Sequence, residues 1–334
     1  MKIIRGIKNL KIKQPTVATI GIFDGIHRGH KRILELLKKR AKDIKAKSCV
    51  LTFDPHPSRI LHPYRTPPML ISTRHKLHLL AAEGVDITVL INFTKNFASI
   101  GPRRFVTDVL VERMNIKELL VGKNFLFGKK RRGTVKILER LGENFDFRVR
   151  AIPSLKMNGR IISSTLIRSL IMSGRLNEAE RLIGREVSIL GTVTKGTKRG
   201  RILGFPTANL DLHHEAIPPN GVYIVKVRLE NREYRGILNI GFRPTFAPLD
   251  NKSSRINKIQ QGEYLTDFKG TIGKRESTVE VYIFNFNKSI YGKDIEVIFL
   301  KRIRSERRFR NREGLLSRIQ KDIDIARKYF KKRK

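Results

Sequence analysis

The run Gly21-Ile22-Phe23-Asp24-Gly25-Ile26-His27-Arg28-Gly29-His30 constrains the fold more than any other stretch of the chain. An apolar, β-branched segment, Thr16-Val17-Ala18-Thr19-Ile20, leads into it, and a helical pattern from Lys31 leads out. This order predicts a buried strand that breaks at a glycine turn and hands over to a helix N-terminus. Such a junction presents free backbone N–H groups and the positive end of a helix dipole, which suits a phosphate. His27 and His30, three apart at the turn, add donors that can follow charge building on phosphate oxygens. Taken singly, each histidine also fits a plain structural part, capping or coating the helix start.

The rest of the first half supplies a frame for that turn. Ile33, Leu34, Leu36 and Leu37 give an apolar stripe on a helix expected to run to about Ala46. Residues 48–53 read as a second buried strand ending in Asp54-Pro55-His56-Pro57, where proline stops the ladder and fixes a rigid loop. A helix is expected over 73–83 with Ser72 or Thr73 as cap, a strand over 85–91, a helix over 102–113 and a strand over 117–121. Strands alternating with helices at this pitch predict a doubly wound parallel α/β sheet. Ligands in such sheets sit outside the carboxyl ends of the strands, where the 21–30 turn and the 54–57 loop both fall.

Two further segments carry candidate chemistry. In Gly122-Lys123-Asn124-Phe125-Leu126-Phe127-Gly128 the two phenylalanines share a face of extended chain, as a wall for a planar ring or as core. The adjoining run Lys129-Lys130-Arg131-Arg132 suits phosphates or a solvated loop. In Ile162-Ser163-Ser164-Thr165-Leu166-Ile167-Arg168 the serines are good N-caps, and Arg168 stands one turn in. Capping alone explains the serines; paired with the first turn, the two helix starts would hold a triphosphate from both sides.

From Val187 onward helical periodicity gives way to short alternating runs at 187–193, 221–229, 233–240, 278–286 and 294–300. Five or six such strands predict a small antiparallel β-barrel. The tail, about 311–332, is expected to be a helix with Leu315, Leu316, Ile319, Ile323, Ile325 and Ala326 as its apolar stripe, packed on the barrel. The 334 residues thus divide into an expected first domain, 1–184, and a second, 185–334. The stretch 250–277 is polar and basic and reads as a surface loop.

Composition excludes several classes. The single cysteine, Cys49, leaves no internal disulfide and no cysteine-rich zinc site, and its apolar neighbours make it a buried side chain. No apolar run spans a bilayer, and the N-terminus lacks the apolar core of a signal peptide, so a cytoplasmic protein is expected. The formal net charge of +40 implies attraction to polyanions. A reading motif or aromatic platform for nucleic acid is lacking, so no specific nucleic acid and no membrane partner is expected.

Four stretches, Gly21–His30, Thr52-Phe53-Asp54-Pro55-His56-Pro57, 121–128 and 162–168, resemble the adenylyltransferase module of the bacterial bifunctional riboflavin kinase/FAD synthetase family. Further on, Gly191-Thr192-Val193-Thr194-Lys195-Gly196, Arg201-Ile202-Leu203-Gly204-Phe205-Pro206-Thr207-Ala208-Asn209-Leu210, Gly221-Val222-Tyr223 and Asn239-Ile240-Gly241-Phe242-Arg243-Pro244-Thr245-Phe246 are similar, in order, to the riboflavin kinase module. So are Val279-Glu280-Val281 and Tyr291-Gly292-Lys293. The HxGH turn is shared with many nucleotidyltransferases, whereas the Pro-Thr-Ala-Asn segment is far more selective. Asn124 stands where the family commonly has aspartate, which loses a charge but keeps a hydrogen-bonding amide.

The resemblance implies the roles. In the adenylyltransferase module ATP is expected at Gly21, Phe23, Asp24, Gly25, Gly29, Ser163, Ser164, Thr165 and Arg168, with His27 and His30 catalytic. Flavin contacts are expected at Asp54, Pro55, His56, Asn124, Phe125 and Phe127. In the kinase module ATP is expected at Gly196, Lys198, Gly204, Pro206, Thr207 and Asn209, with Thr207 and Asn209 on Mg²⁺ and Glu280 as base. No Gly-x-x-x-x-Gly-Lys-[Ser/Thr] loop is present, so a P-loop kinase is excluded. Phosphorylation of riboflavin to FMN followed by adenylylation to FAD is the expected function. Its rivals are a basic nucleic-acid-binding protein on the same scaffold and a single-activity flavin enzyme with one decayed site.

Overall fold

A computed structural model describes residues 1–8, 10–196, 204–213, 215–230, 232–242, 264–266, 272–274, 277–307, 309 and 311–332. By packing, the chain divides into two units, Met1–Arg185 with His214–Ile217, and Glu186–His213 with Pro218–Lys334.

The first unit is built on six strands, β1 (Lys2–Arg5), β2 (Thr16–Ile20), β3 (Lys47–Asp54), β4 (Ile87–Asn92), β5 (Ile116–Gly122) and β6 (Arg148–Ile152). They form one wholly parallel sheet in the order β1-β4-β3-β2-β5-β6. β2 is buried along its whole length, as its run of apolar and β-branched residues requires. From β2 the chain winds outward through β3 and β4, then returns to place β5 on the other side of β2. The strand order therefore reverses between β2 and β5, and the crevice at their carboxyl ends is the topological switch point where such sheets bind ligands.

The connecting helices are α1 (Arg28–Asp43), α2 (Pro57–Leu61), α3 (Thr73–Ala82), α4 (Lys95–Ala98), α5 (Pro102–Phe105), α6 (Val135–Asn144), α7 (Ser164–Met172) and α8 (Leu176–Ile183). α5 runs on into a π-helical turn, Val106–Val111. A two-stranded hairpin, β7 (Lys156–Met157) with β8 (Arg160–Ile161), precedes α7. One side of the sheet packs Leu51, Val89, Ile91, Leu119 and Val121 against Phe105, Leu110 and Leu138. The other packs Val17, Val50 and Leu120 against Leu34, Leu37 and Leu80.

Two expectations shift here. α1 begins at Arg28, not Lys31, because His27 caps it; it ends at Asp43, short of Ala46, because Lys45 takes φ +52°. The edge strands β1 and β6 and helix α6 were not foreseen. β1 is mostly exposed, as is β6 apart from Ile152, so neither carries an apolar run.

The second unit is a closed antiparallel barrel of β9 (Ser188–Thr194), β10 (Ala208–Asp211), β11 (Gly221–Leu229), β12 (Arg232–Phe242), β15 (Ser277–Ile283) and β16 (Asp294–Ser305). Their order is β10-β15-β12-β11-β16-β9. A separate pair, β13 (Tyr264–Thr266) and β14 (Ile272–Lys274), lies within the expected 250–277 loop. Tyr223, Val225, Leu238, Val281 and Phe299 are buried, with Tyr223 edge-on to Phe299 at 5.3 Å. The C-terminal helix Arg312–Lys331 packs Ile323, Ala326 and Phe330 on Val222, Ile224 and Ile237. Ile325, expected in its stripe, is 43% exposed, since it lies about 100° round the helix from Ala326.

Candidate functional sites

In the first unit β2 ends at Gly21, whose N–H still bonds the Leu51 carbonyl, and the chain then turns sharply. Phe23 and Ile26 adopt φ of +52° and +38°, a region that side chains rarely occupy. Both are held there by near-complete burial. Gly25, at φ +91°, lies against Leu70, whose methyl group would be 2.7 Å from a Cβ at that position. The turn is therefore fixed by packing.

His27 caps α1, its Nδ1 accepting from the His30 N–H at 3.4 Å. The two rings stack with centroids 3.7 Å apart and planes at 16°, and Gly29 leaves room for the His27 ring. The ring that caps the helix is thus also the one stacked on His30. His30 Nδ1 is buried without a hydrogen-bond partner among the described residues, so it holds a polar atom in reserve. Burial pushes the His27 pKa down to about 4, and pushes His30 well below the usual imidazole range, with His27 and Lys76 adding to the effect. Near neutral pH both rings are uncharged N–H donors.

Asp24 ties the turn to the rest of the site. It is buried, and its Oδ1 accepts from the N–H groups of Leu70 (2.8 Å) and Ile71 (3.3 Å). Arg168 donates to its Oδ2 at 2.8 Å and to the Pro68 carbonyl at 2.7 Å. Ser164 Oγ donates to the Asp24 carbonyl at 2.8 Å. Burial raises the Asp24 pKa, while Arg168 and the two backbone donors oppose that rise. Ser163 caps α7 by accepting from the Leu166 N–H, and Thr165 is exposed in the first turn. Residues 21–30 and 163–168, far apart in sequence, are thus brought together, and α1 and α7 both start without acidic residues.

The 54–56 loop joins the same site. Asp54 accepts from Thr73 Oγ1 at 2.8 Å, the Asp54–Pro55 peptide is cis, and His56 caps α2 through Ser58. Burial lowers the His56 pKa to about 4, helped by the cations of Lys76 and Arg168.

Lys76 was missed. The residue is 3% exposed, and its ammonium donates to the carbonyls of Ile22 (3.1 Å) and Phe53 (3.3 Å) and lies 3.2 Å from Thr52 Oγ1. Burial brings its pKa down to about 8, with Asp24 and Asp54 acting against the drop. The only signal was its place on the buried face of α3, beside His75, Leu77 and Leu80.

The 122–128 segment leaves β5 at the same edge of the sheet. Phe125 and Phe127 do share a face, stacked at 5.7 Å and 9°. Phe127, however, is buried in the core against Phe105, and Gly133 gives it space. It supports the loop from below, while Phe125 is half-buried and Asn124 exposed.

In the second unit strand register assembles the site. Asn209 lies directly opposite Glu280 across β10 and β15, and Glu280 lies opposite Asn239 across β15 and β12. Val279 and Val281 are buried in the barrel, so Glu280 faces outward, as do its partners. Three oxygen-bearing side chains therefore stand in one row. Asn239 was not foreseen as a site residue; its signal was a polar side chain between Leu238 and Ile240. Phe205 packs edge-on against Tyr282 at 5.9 Å, two residues along from Glu280, which brings the segment around Gly204, Pro206 and Thr207 to this face. A side chain at Gly196 would collide with the Asn209 amide, so this glycine lets backbone approach it closely. Lys198 lies outside the described residues. Among the described residues no cluster of three His, Cys, Asp or Glu could hold a metal, and no helix is long and apolar enough to cross a membrane.

Family models match in both halves: FAD synthetase over residues 9–166 and riboflavin kinase over residues 183–330. The chain is 36% identical over 333 residues to the bifunctional riboflavin kinase/FMN adenylyltransferase of Buchnera aphidicola subsp. Schizaphis graminum, covering 99% of each. It is 34% identical to the proteins of that description in Haemophilus influenzae, with 99% of each chain covered, and in Escherichia coli K12, with 99% and 98% covered. Among solved structures it is similar to a Streptococcus pneumoniae protein described as a macrolide-efflux protein. That match has TM-score 0.76 and 30% identity and covers 98% of this chain and 99% of the other.

Proposed function

The chain belongs to the bifunctional riboflavin kinase/FMN adenylyltransferase family, and from that premise we propose how its residues divide the two reactions. The second unit transfers the γ-phosphoryl group of ATP to riboflavin, giving FMN and ADP. The first unit then joins FMN to the adenylyl group of a second ATP, giving FAD and pyrophosphate. The observation that carries this division is the separation of two chemistries into two packing units. The buried histidine pair lies in one, the Asn209–Glu280–Asn239 row in the other.

In the second unit Glu280 takes the proton of the riboflavin 5′-hydroxyl as its oxygen attacks the γ-phosphorus. Gly196 and the segment from Gly204 to Thr207 lie along the ATP phosphates, with Lys198 adding charge. Thr207 and Asn209 offer hard, uncharged oxygens, which fit Mg²⁺ because that ion takes most of its ligands from water and phosphate. When bound, Mg²⁺ neutralises charge on the ATP oxygens; Asn239 orients Glu280.

In the first unit a phosphate oxygen of FMN attacks the α-phosphorus of ATP, and the bond to pyrophosphate breaks. His27 and His30, neutral and preorganised, donate N–H groups to the oxygens on which charge grows. The starts of α1 and α7, with Ser163, Ser164 and Thr165, receive the triphosphate. Asp24 and Arg168 hold the two starts together, while Gly21, Phe23, Gly25 and Gly29 give the turn its shape. Asp54, Pro55, His56, Asn124 and Phe125 face the flavin side of the crevice. The cytoplasm, where ATP is abundant and the single cysteine stays reduced, is the proposed location.

The test is to incubate the full chain with riboflavin, ATP and Mg²⁺ and to separate the products over time. FMN rising first and FAD following supports the reading. FMN alone points to one decayed site, and the absence of both products overturns the reading.

A further inference from the structure

Residues 215–217 follow β10 in the sequence and precede β11, yet they belong to the first unit. They run parallel to the 68–72 segment, with Glu215 paired to Met69. The Ala216 N–H donates to the Met69 carbonyl at 2.5 Å. Glu215 Oε1 accepts from the Ser72 N–H at 2.6 Å and stands 3.4 Å from His75 Nδ1. Glu215, Ala216 and His75 are all buried. A carboxyl group is taken fully out of water here, its Oε1 accepting from the Ser72 N–H beside the His75 ring, an arrangement whose cost only good geometry offsets.

The segment so braced is the one that positions the candidate adenylyl site. Leu70 and Ile71 turn their N–H groups to Asp24, and Pro68 turns its carbonyl to Arg168. Met69 and Ser72 turn theirs to Ala216 and Glu215. One short stretch of chain is thus gripped from both sides, by Asp24 and Arg168 on one and by Glu215 and Ala216 on the other. Leu70 is also the residue against which Gly25 is seated.

We propose that Glu215 is a positioning residue for adenylyl transfer. By anchoring Ser72 and Met69 it sets the 68–72 segment, and through it the placement of Asp24, Arg168 and the histidine turn. The first site therefore depends on a carboxylate encoded within the stretch of sequence matching riboflavin kinase. This role rests on adenylyl transfer in the first unit. A displacement of about 1 Å in such a support is enough to lower turnover by one to two orders of magnitude.

The test compares Glu215→Ala and Glu215→Gln with the unchanged full chain. Adenylylation of supplied FMN and phosphorylation of riboflavin are measured on the same preparations, with hydrogen exchange followed by mass spectrometry. Glu215→Ala should lower kcat for FAD formation about tenfold or more with a smaller change in the KM for ATP, while FMN formation stays within about twofold. Glu215→Gln should recover most of the lost turnover, because its amide oxygen still accepts from Ser72. Faster exchange in Glu215→Ala should be confined to about residues 69–76. Wild-type kcat in Glu215→Ala overturns the proposal, as does faster exchange spread through α1 and β2, which would mark general unfolding. If the unchanged chain makes no FAD, adenylyl transfer itself fails and this role falls with it. FAD synthesis by the unchanged chain with Glu215→Ala unimpaired rejects the role of Glu215 alone.

Discussion

Arg168 and Asp24 stand 144 positions apart in sequence, yet their side chains meet at 2.8 Å in a nearly closed environment. The Arg168 side chain is 12% exposed and that of Asp24 3%. Removing one charge from such a pair leaves the other buried and uncompensated, a loss of about 3 kcal/mol. Asp24→Asn should therefore lower the stability of the first unit by about that amount, read as a drop in its thermal transition, and should lower FAD formation. An unchanged transition would show that the pair is not closed to water.

The histidine turn makes stability sensitive to acid. His27 has a pKa near 4 when folded, against 6.5 for the free ring, because burial disfavours its charged form. As pH falls through 6.5 the unfolded chain takes up this proton, while the folded chain does so only near 4. The associated stability is present in full above the higher value and is lost toward the lower one, about 3 kcal/mol in all. His30 and His56 act in the same direction. Thermal unfolding at pH 7 and pH 5 should show the first unit weakening on acidification, and His27→Gln should weaken less.

Register predicts the kinase result. Glu280 faces Asn209 and Asn239, so Glu280→Gln keeps the shape of the row and removes its only proton acceptor of suitable strength. FMN production from riboflavin should fall by about 10² or more, while FMN supplied from outside is still converted to FAD. Retained FMN production would remove Glu280 from the base role.

Local pattern made much of this legible. The buried β2, the glycine turn and the serine-capped α7 each announce themselves over a few residues, and the alternation of strands and helices places their ends together. What escaped depends on distant partners. Asn239 joins the candidate row only when β12 pairs with β15 in a register that no single strand specifies. Lys76 reads as an ordinary surface cation until the carbonyls of Ile22 and Phe53 close over it. Glu215 lies in a stretch without periodicity, and only its burial against Ser72 and His75 gives it a role. Phe127 shows the reverse case: its spacing with Phe125 predicts their shared face and leaves wall or core open, and only its packing against Phe105 decides for core.

The central claim is that two sites on one chain act in sequence and fail separately. His30→Ala tests it most directly, because His30 belongs to the first unit and the barrel row to the second. Given riboflavin, ATP and Mg²⁺, the variant should accumulate FMN at the unchanged rate while FAD formation falls by about 10² or more. Loss of both products together, or FAD appearing at the unchanged rate, would contradict it.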